Sequence, residues 1–270
     1  MTTALNILII GGGQMGSAIA LGFIRSSAKI SIIIVEPDLD RRIEITDTGI
    51  IAVKETPNPI TSEVIILATP PHIFPLLSEL HPQLQHFTGV IVSVMAGVSL
   101  SELTTRLNRT QVFRSIPNLA CSINQGTTLS IPGPQVTRKN EDLINRIFST
   151  LGTSTFVTKE HLLNSATALV GGGPAYISYF TAALIEYAKT AGFDNASATS
   201  MVIQILRGTS ALLEAGPDTP MRLCEKVMTP GGTTQKAINH FNHMQIRTSI
   251  VDGLKQSFLH SVELGRRSWR

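Results

Sequence analysis

An α/β half built on a parallel sheet, followed by an all-helical half, is the fold class this sequence predicts, and three features predict it. Short β-branched runs alternate with helical segments as far as residue 151. Each run is apolar throughout, the pattern of strands covered on both faces. From Lys159 onward there is no strand pattern, only helical periodicity punctuated by Gly and Pro.

The elements follow in order. Leu5–Ile10 is the first strand and stops at Gly11-Gly-Gly-Gln-Met-Gly16; Gln14 to Ser26 then carries helical periodicity through Met15, Ile19, Phe23 and Ile24. Ile30–Val35 is a second buried strand, followed by Glu36. Val64–Ala68 and Val90–Val94 come next, each with a helix behind it, Ile73–Leu84 and Leu100–Leu107. Gln111–Ser115 and Thr127–Ile131 read as further strands and Asn140–Leu151 as a helix. In the second half, His161–Leu169, Ala175–Ala191, Ala196–Leu213, Pro220–Lys226, Thr234–Phe241 and Ile246–Leu264 read as helices.

At 270 residues the chain exceeds the usual size of one domain, and the join falls near Phe156–Glu160. The domains expected are therefore 1–158 and 159–270. The helix through Thr199–Leu213 is apolar on most faces, as a helix buried all round would be. A helical domain of about 110 residues is small for that, so a partner subunit is expected to cover one face.

Composition narrows the function. With 43% apolar and 15% charged residues the chain is an ordinary packed globule. The net charge of +3 comes from scattered residues with no basic, aromatic-laced stripe, so no nucleic-acid partner is expected. The basic Gly265–Arg270 end reads as a solvated tail. Cys121 and Cys224 form no CxxC, and the histidines have no metal-ligand spacing, so no metal is expected. Ala4–Ile10 is too short to span a membrane and lacks the charged start of a signal peptide. A soluble, cytoplasmic protein with no membrane partner is the expectation.

Gly11, Gly13 and Gly16 fit the G-x-G-x-x-G fingerprint in its required place, after a strand and opening a helix with Gln14 and Met15. One glycine makes the turn, the next admits a pyrophosphate, and the third lets the helix press on the sheet, as in a Rossmann-type dinucleotide site. Glu36 is placed to accept hydrogen bonds from the adenosine ribose and to repel a 2′-phosphate, which favours NAD over NADP. Arg41 and Arg42 counter that, since either could turn toward a phosphate; a solvated helix face is their plainer role. The cofactor expected is NAD(P)H, leaning to NAD.

A second glycine loop, Met228-Thr-Pro-Gly-Gly-Thr-Thr234, precedes the helix at Gln235. Pro230 ends what comes before, Gly231 and Gly232 leave bare backbone, and Thr233 and Thr234 offer hydroxyls where an N-cap wants them. Unpaired N–H groups at a positive helix end suit a small carboxylate or phosphate. No residue stands out as a strong general base: Lys226, Lys236, His240, His243, Tyr176 and Tyr179 all have plainer roles on their helices. That suits reduction of a C=N bond, whose nitrogen is readily protonated, with Thr234 supplying the one hydroxyl and backbone N–H groups holding a carboxylate.

With those residues in view, the chain resembles the pyrroline-5-carboxylate reductase family almost end to end. The anchors are Gly11-Gly-Gly-Gln-Met-Gly16, Leu67-Ala-Thr-Pro-Pro-His72, Ala96-Gly97-Val98, Arg114-Ser-Ile-Pro-Asn118, Gly171-Gly-Gly-Pro-Ala-Tyr176 and Thr229-Pro-Gly-Gly-Thr-Thr234. The resemblance implies a Rossmann-type sheet domain, an all-α dimerisation domain, and a homodimer or ring of dimers. It implies hydride transfer from NAD(P)H to 1-pyrroline-5-carboxylate, giving L-proline. Gly231, Gly232, Thr233 and Thr234 would take the substrate carboxylate, with the Thr234 hydroxyl on the ring nitrogen. Asn118 and the Ala96-Gly97 turn would lie beside the nicotinamide, and Ala68, Thr69, Pro70 and Pro71 would flank the cofactor.

Five positions depart from the family pattern: Pro70 stands where lysine is usual, Leu119 and Ala120 replace Thr-Pro, and Val170 and Gly172 replace two serines. Two other readings stay open. One is a dinucleotide-binding protein without turnover, and the other a reductase of a related cyclic imine or hydroxy acid. The β-hydroxyacid dehydrogenases rely on a lysine after a glycine-rich segment, and here none follows Gly171 until Lys189.

Overall fold

A computed structural model describes residues 4–267, with side chains through 265, so most of the basic tail read from the sequence lies outside the described side chains. The β-branched runs form β1 (Leu5–Ile10), β2 (Ile30–Val35), β3 (Ile51–Val53), β4 (Val64–Leu67), β5 (Val90–Ser93), β6 (Val112–Ile116), β7 (Gly126–Pro132) and β8 (Gly152–Phe156). Among the described residues they make one eight-stranded sheet in the order β3-β2-β1-β4-β5-β6-β7-β8. β1 pairs in parallel with both β2 and β4, so the strand order reverses beside β1. The crevice at the carboxyl ends of those strands is where such sheets bind ligands.

The strands are buried on both faces because helices cover both. Ile7 and Ile9 pack with Ile19 and Phe23 of α1 (Gln14–Arg25). Leu8 and Ile10 point the other way, toward the cluster containing Phe74 and Leu77. α2 (Leu39–Asp47) follows β2, with the Asp38 side chain accepting from the Arg41 N–H as its cap. Removing any of these fully buried β1 side chains from the core would cost about 2–5 kcal/mol.

Three expectations need correction. The sheet is not wholly parallel: β6 and β7 are antiparallel, with Phe113 opposite Pro132. Parallel neighbours need a crossover of roughly a dozen residues or more, and the short link between Ile116 and Gly126 holds only a 3₁₀ turn, Leu119–Ile123. The helix expected over 73–84 is broken into a 3₁₀ turn at Pro71–Leu76, one short helix α3 (Leu77–Leu80), and a second 3₁₀ turn at Pro82–His86. Pro75 and Pro82 lack the N–H that a continuous helix requires. The edge strands β3 and β8 were not expected from the pattern, because three residues carry no period and Gly-Thr-Ser-Thr-Phe carries too few apolar ones.

α4 (Leu100–Leu107) opens with a capping box between Ser99 and Glu102, and α5 (Arg138–Ser149) packs Ile144, Ile147 and Phe148 onto the sheet. The second half is helical: α6 (Leu162–Ala166), a π-turn at Thr167–Gly171, α7 (Gly173–Thr190), α8 (Asn195–Ala215), α9 (Pro220–Val227), α10 (Thr233–His243) and α11 (Ile246–Arg267). The described residues up to Pro174, with those from Gln256 on, form one packed unit, and Ala175–Lys255 form a second.

The second unit leaves its apolar residues largely uncovered. Within the single chain only Ala198 and Val202 of α8 are buried, while Ile203, Ile205 and Leu212 are exposed. Ile177, Tyr179, Leu184 and Tyr187 of α7 are exposed too. By length and composition alone, Leu162–Thr190 is apolar enough to cross a membrane.

Candidate active site

The first glycine loop is built by close backbone approach. Gly11 takes φ +107°, donates its N–H to Val35 O at 2.9 Å, and has no room for a side chain: a Cβ there would meet the Ala68 carbonyl carbon at 2.7 Å. At Gly16 a Cβ would stand 2.0 Å from Gly11 O, so only glycine lets α1 start this close to β1. Gly13 is different, with nothing within 4 Å of its would-be Cβ. It is the N-cap of α1, which has no capping side chain. The first helical N–H groups therefore face the open side of Gly13, where a pyrophosphate fits the helix end.

That open side is a cavity of about 610 Å³. Of the residues predicted for the cofactor, Gly11, Gly13, Gln14, Met15, Glu36, Ala68, Thr69, Pro70, Pro71 and Ala96 all line it. Gly16 and Gly97 do not line it. Gly16 acts beneath the loop, and Gly97 closes the turn after β5 at φ +79°, where a Cβ would meet Gly265 N of α11 at 2.7 Å. Sequence reasoning did not single out Lys54, Ile73, Leu80, His81 or Met95, which also line the cavity. They come from four separate segments, and no local pattern joins them. His81 accepts or shares a hydrogen bond with the Thr56 hydroxyl at 2.7 Å, and burial lowers its pKa, which favours the neutral ring.

Glu36 is held more firmly than a ribose-facing carboxylate needs to be. It is 5% exposed; Oε2 accepts from the Gly12 N–H at 2.9 Å and Oε1 from the Asp38 N–H at 3.0 Å. Pro70, in the position where the family usually has lysine, lines the cavity without a charge.

Asn118 follows β6, where its Oδ1 lies 3.4 Å from the Thr127 N–H. It is not among the cavity-lining residues. Arg114, four residues earlier, is buried, and its guanidinium donates to Glu160 at 3.1 Å and Asn164 at 2.8 Å. Burial lowers its pKa and Glu160 opposes that shift. Glu160 also accepts from Leu100 N–H at 2.8 Å, so one carboxylate ties β6 to the start of α4.

The second glycine loop lies in the other unit. Its helix starts at Thr233, one residue earlier than the Thr234–Phe241 read from the sequence, with Gly232 as N-cap and no capping side chain. The cap role weighed for the Thr233 and Thr234 hydroxyls is therefore not taken, and Thr234 is half-buried with its hydroxyl free of that duty. The Gly231 N–H donates to Gln235 Oε1 at 2.8 Å and the Gly232 N–H to Thr229 O at 2.9 Å. What α10 presents to a ligand is thus its own first turn, Thr233, Thr234 and Gln235. Lys226, considered as an acid or base, pairs with Asp218 instead. Among the described residues no group of three or more His, Cys, Asp or Glu side chains could hold a metal ion.

Comparison with known proteins points one way. Residues 160–264 match the family model described as pyrroline-5-carboxylate reductase dimerisation, and residues 6–97 match NADP oxidoreductase coenzyme F420-dependent. The chain is 30% identical to the pyrroline-5-carboxylate reductase of Methanosarcina acetivorans over 96% of its own length and 97% of that protein. It superimposes on the 1-pyrroline-5-carboxylate reductase of Streptococcus pyogenes with a TM-score of 0.86 at 26% identity, covering 96% of this chain and 99% of that one. The fold matches that of Plasmodium falciparum pyrroline carboxylate reductase with NADP bound, at TM-score 0.88 and 20% identity over 97% of this chain and 98% of that one. With a likeness that runs from the first glycine loop through the last helices, the chain belongs to the pyrroline-5-carboxylate reductase family.

Proposed function

We propose that this protein reduces 1-pyrroline-5-carboxylate to L-proline with NAD(P)H. The observation that carries the reading is a full-length likeness to a named pyrroline-5-carboxylate reductase in a chain that keeps both glycine loops. The glycine cradle fits a dinucleotide, since Gly13 lines the cavity with nothing within 4 Å of its would-be Cβ, leaving the space that a pyrophosphate would take. NAD(P)H held there would supply the hydride for the imine carbon and leave as NAD(P)⁺, the protonated nitrogen taking the C=N electron pair.

This chain's residues then have binding and orienting roles. Gly11, Gly13, Gln14 and Met15 hold the pyrophosphate against the α1 N-terminus. Ala68, Thr69, Pro70, Pro71 and Ala96 flank the nicotinamide side, the turn at Gly97 holds Ala96 there, and Asn118 is assigned a place beside the nicotinamide. The loop Gly231–Thr234 orients the first turn of α10 toward the substrate carboxylate, and the Thr234 hydroxyl meets the ring nitrogen. Domains of 1–158 for the cofactor and 159–270 for substrate and dimerisation fit that division.

The chain forms oligomers through its second half, which matches the dimerisation model. A homodimer, or a ring of such dimers, gives the exposed faces of α7 and α8 a cover, including the apolar run Leu162–Thr190. A monomer in sedimentation at micromolar concentration would remove that assignment. We place the work in the cytoplasm, where the free Cys121 and Cys224 stay reduced.

The catalytic assignment is tested with Thr234→Ala and Thr234→Ser. Loss of a hydrogen bond made in the transition state lowers kcat by roughly a hundredfold in the alanine variant, with the melting temperature unchanged and serine restoring most of the rate. Equal rates in the wild type and Thr234→Ala would take Thr234 out of the chemistry.

A further inference from the structure

Two adjacent arginines in the first turn of α2 have opposite fates. Arg42 Nη1 donates to the carbonyls of Glu36 at 2.8 Å and Pro37 at 2.7 Å, so its side chain is spent closing the end of β2. Arg41 is half-exposed, and its Nη1 stands 3.8 Å from Glu36 Oε2, beyond direct hydrogen-bond distance. Its side chain lines the large cavity beside Glu36, Pro37 and Lys54, and also a smaller one of about 360 Å³ beside Gly12 and Gly13.

Glu36 and Arg41 together carry no net charge at this end of the cavity. The two backbone N–H groups on Glu36 stabilise its carboxylate whether or not Arg41 stays beside it. Its oxygens also keep lone pairs that a ribose hydroxyl can use. Glu36 is thus a fixed brace of the glycine loop, and Arg41 is the charge that can move. The other nearby cation, Lys54, lies 4.0 Å from Glu55 and is a point charge, whereas a guanidinium matches phosphate with a two-pronged fork.

We propose that Arg41 sets the choice between NADPH and NADH, its guanidinium leaving Glu36 to receive the 2′-phosphate of NADPH. With NADH it stays on Glu36, and the carboxylate accepts from the ribose 2′-hydroxyl. The site therefore takes both cofactors, which tempers the lean to NAD that Glu36 alone suggests. The proposal rests on the cofactor part of the function proposed above.

The test uses the full chain and calorimetric titration with ADP-ribose and with 2′-phosphorylated ADP-ribose, no imine being present. Arg41→Ala weakens the phosphorylated ligand about tenfold or more and the plain one by less than roughly threefold. Arg41→Lys recovers part of the loss. Arg42→Ala, which loosens the end of β2, weakens both ligands alike, and melting curves for each variant establish folding. An unchanged ratio of the two affinities in Arg41→Ala, or an equal change of ratio in Arg42→Ala, overturns the proposal. If the wild type binds neither ligand, the proposal falls together with the cofactor reading. If the ratio shifts as expected but no imine is reduced, the proposal stands and the assigned reaction falls.

Discussion

Replacing Gly13 or Gly16 by alanine adds the same methyl group three residues apart, and the structure predicts opposite consequences. At Gly13 nothing lies within 4 Å, and φ is −66°, a value alanine adopts freely. Alanine is a poorer N-cap than glycine but reduces the freedom of the unfolded chain, and the two effects offset to within about 1 kcal/mol. The melting temperature should therefore move by no more than roughly 2–4 °C in a chain near this size. The methyl does enter the space that Gly13 opens onto, so NAD⁺ and NADP⁺ should both bind roughly tenfold more weakly or worse. At Gly16 the methyl would stand 2.0 Å from Gly11 O, and backbone must give way by about 1.4 Å to reach ordinary contact. Overpacking of that kind costs about 1–3 kcal/mol, a drop of roughly 2–12 °C. Because the displaced atoms belong to the loop itself, nucleotide affinity falls as well. Thermal melts with and without nucleotide, together with titration calorimetry, separate the two variants. Gly13→Ala binding as tightly as the wild type would refute the placement of the pyrophosphate, and Gly16→Ala melting like the wild type would refute the helix–strand contact.

Three further outcomes are expected. Gln235→Ala frees the Gly231 N–H and loosens the loop ahead of α10, so KM for the imino acid should rise roughly threefold to tenfold with the fold intact; an unchanged KM removes Gln235 from the site. Glu160→Ala leaves the Arg114 guanidinium buried with only Asn164, at a cost of about 2–3 kcal/mol given that Glu160 is itself partly exposed; denaturant melts showing no loss would mean that water satisfies the arginine. The buried Cys121 thiol is pushed up from 9.0 to about 11 by desolvation. The unfolded chain ionises this group first, so its contribution to stability is full below about pH 9 and is lost as pH rises toward 11. At pH 8 an alkylating reagent should modify Cys224 well before Cys121; equal rates would contradict the burial.

Both glycine loops could be read from the sequence because each is a local requirement, bare backbone that opens a helix, after strand β1 in one case and after helix α9 in the other. The strands β1, β2, β4 and β5 were equally plain, their side chains being apolar in succession because the sheet is covered on both faces. What escaped was set by distant or weak signals. β3 is an edge strand of only three residues, β8 is an edge strand with few apolar ones, and Pro75 and Pro82 break a helix whose periodicity is otherwise sound. The acidic residue after β2 was recognised, but its engagement by Gly12 and Asp38 depends on the loop folding back over it. Arg41 and Arg42 are indistinguishable in sequence, and only the carbonyls of Glu36 and Pro37 separate them. The meeting of Gly97 with Gly265 joins residues far apart in sequence, and no local pattern announces it.

The most direct test of the central claim is to supply purified protein with NADH or NADPH and pyrroline-5-carboxylate, then quantify cofactor consumed and amino acid formed. One L-proline for each reduced cofactor oxidised is the predicted result. Nucleotide that binds and yet stays reduced, with no proline made, would contradict the account.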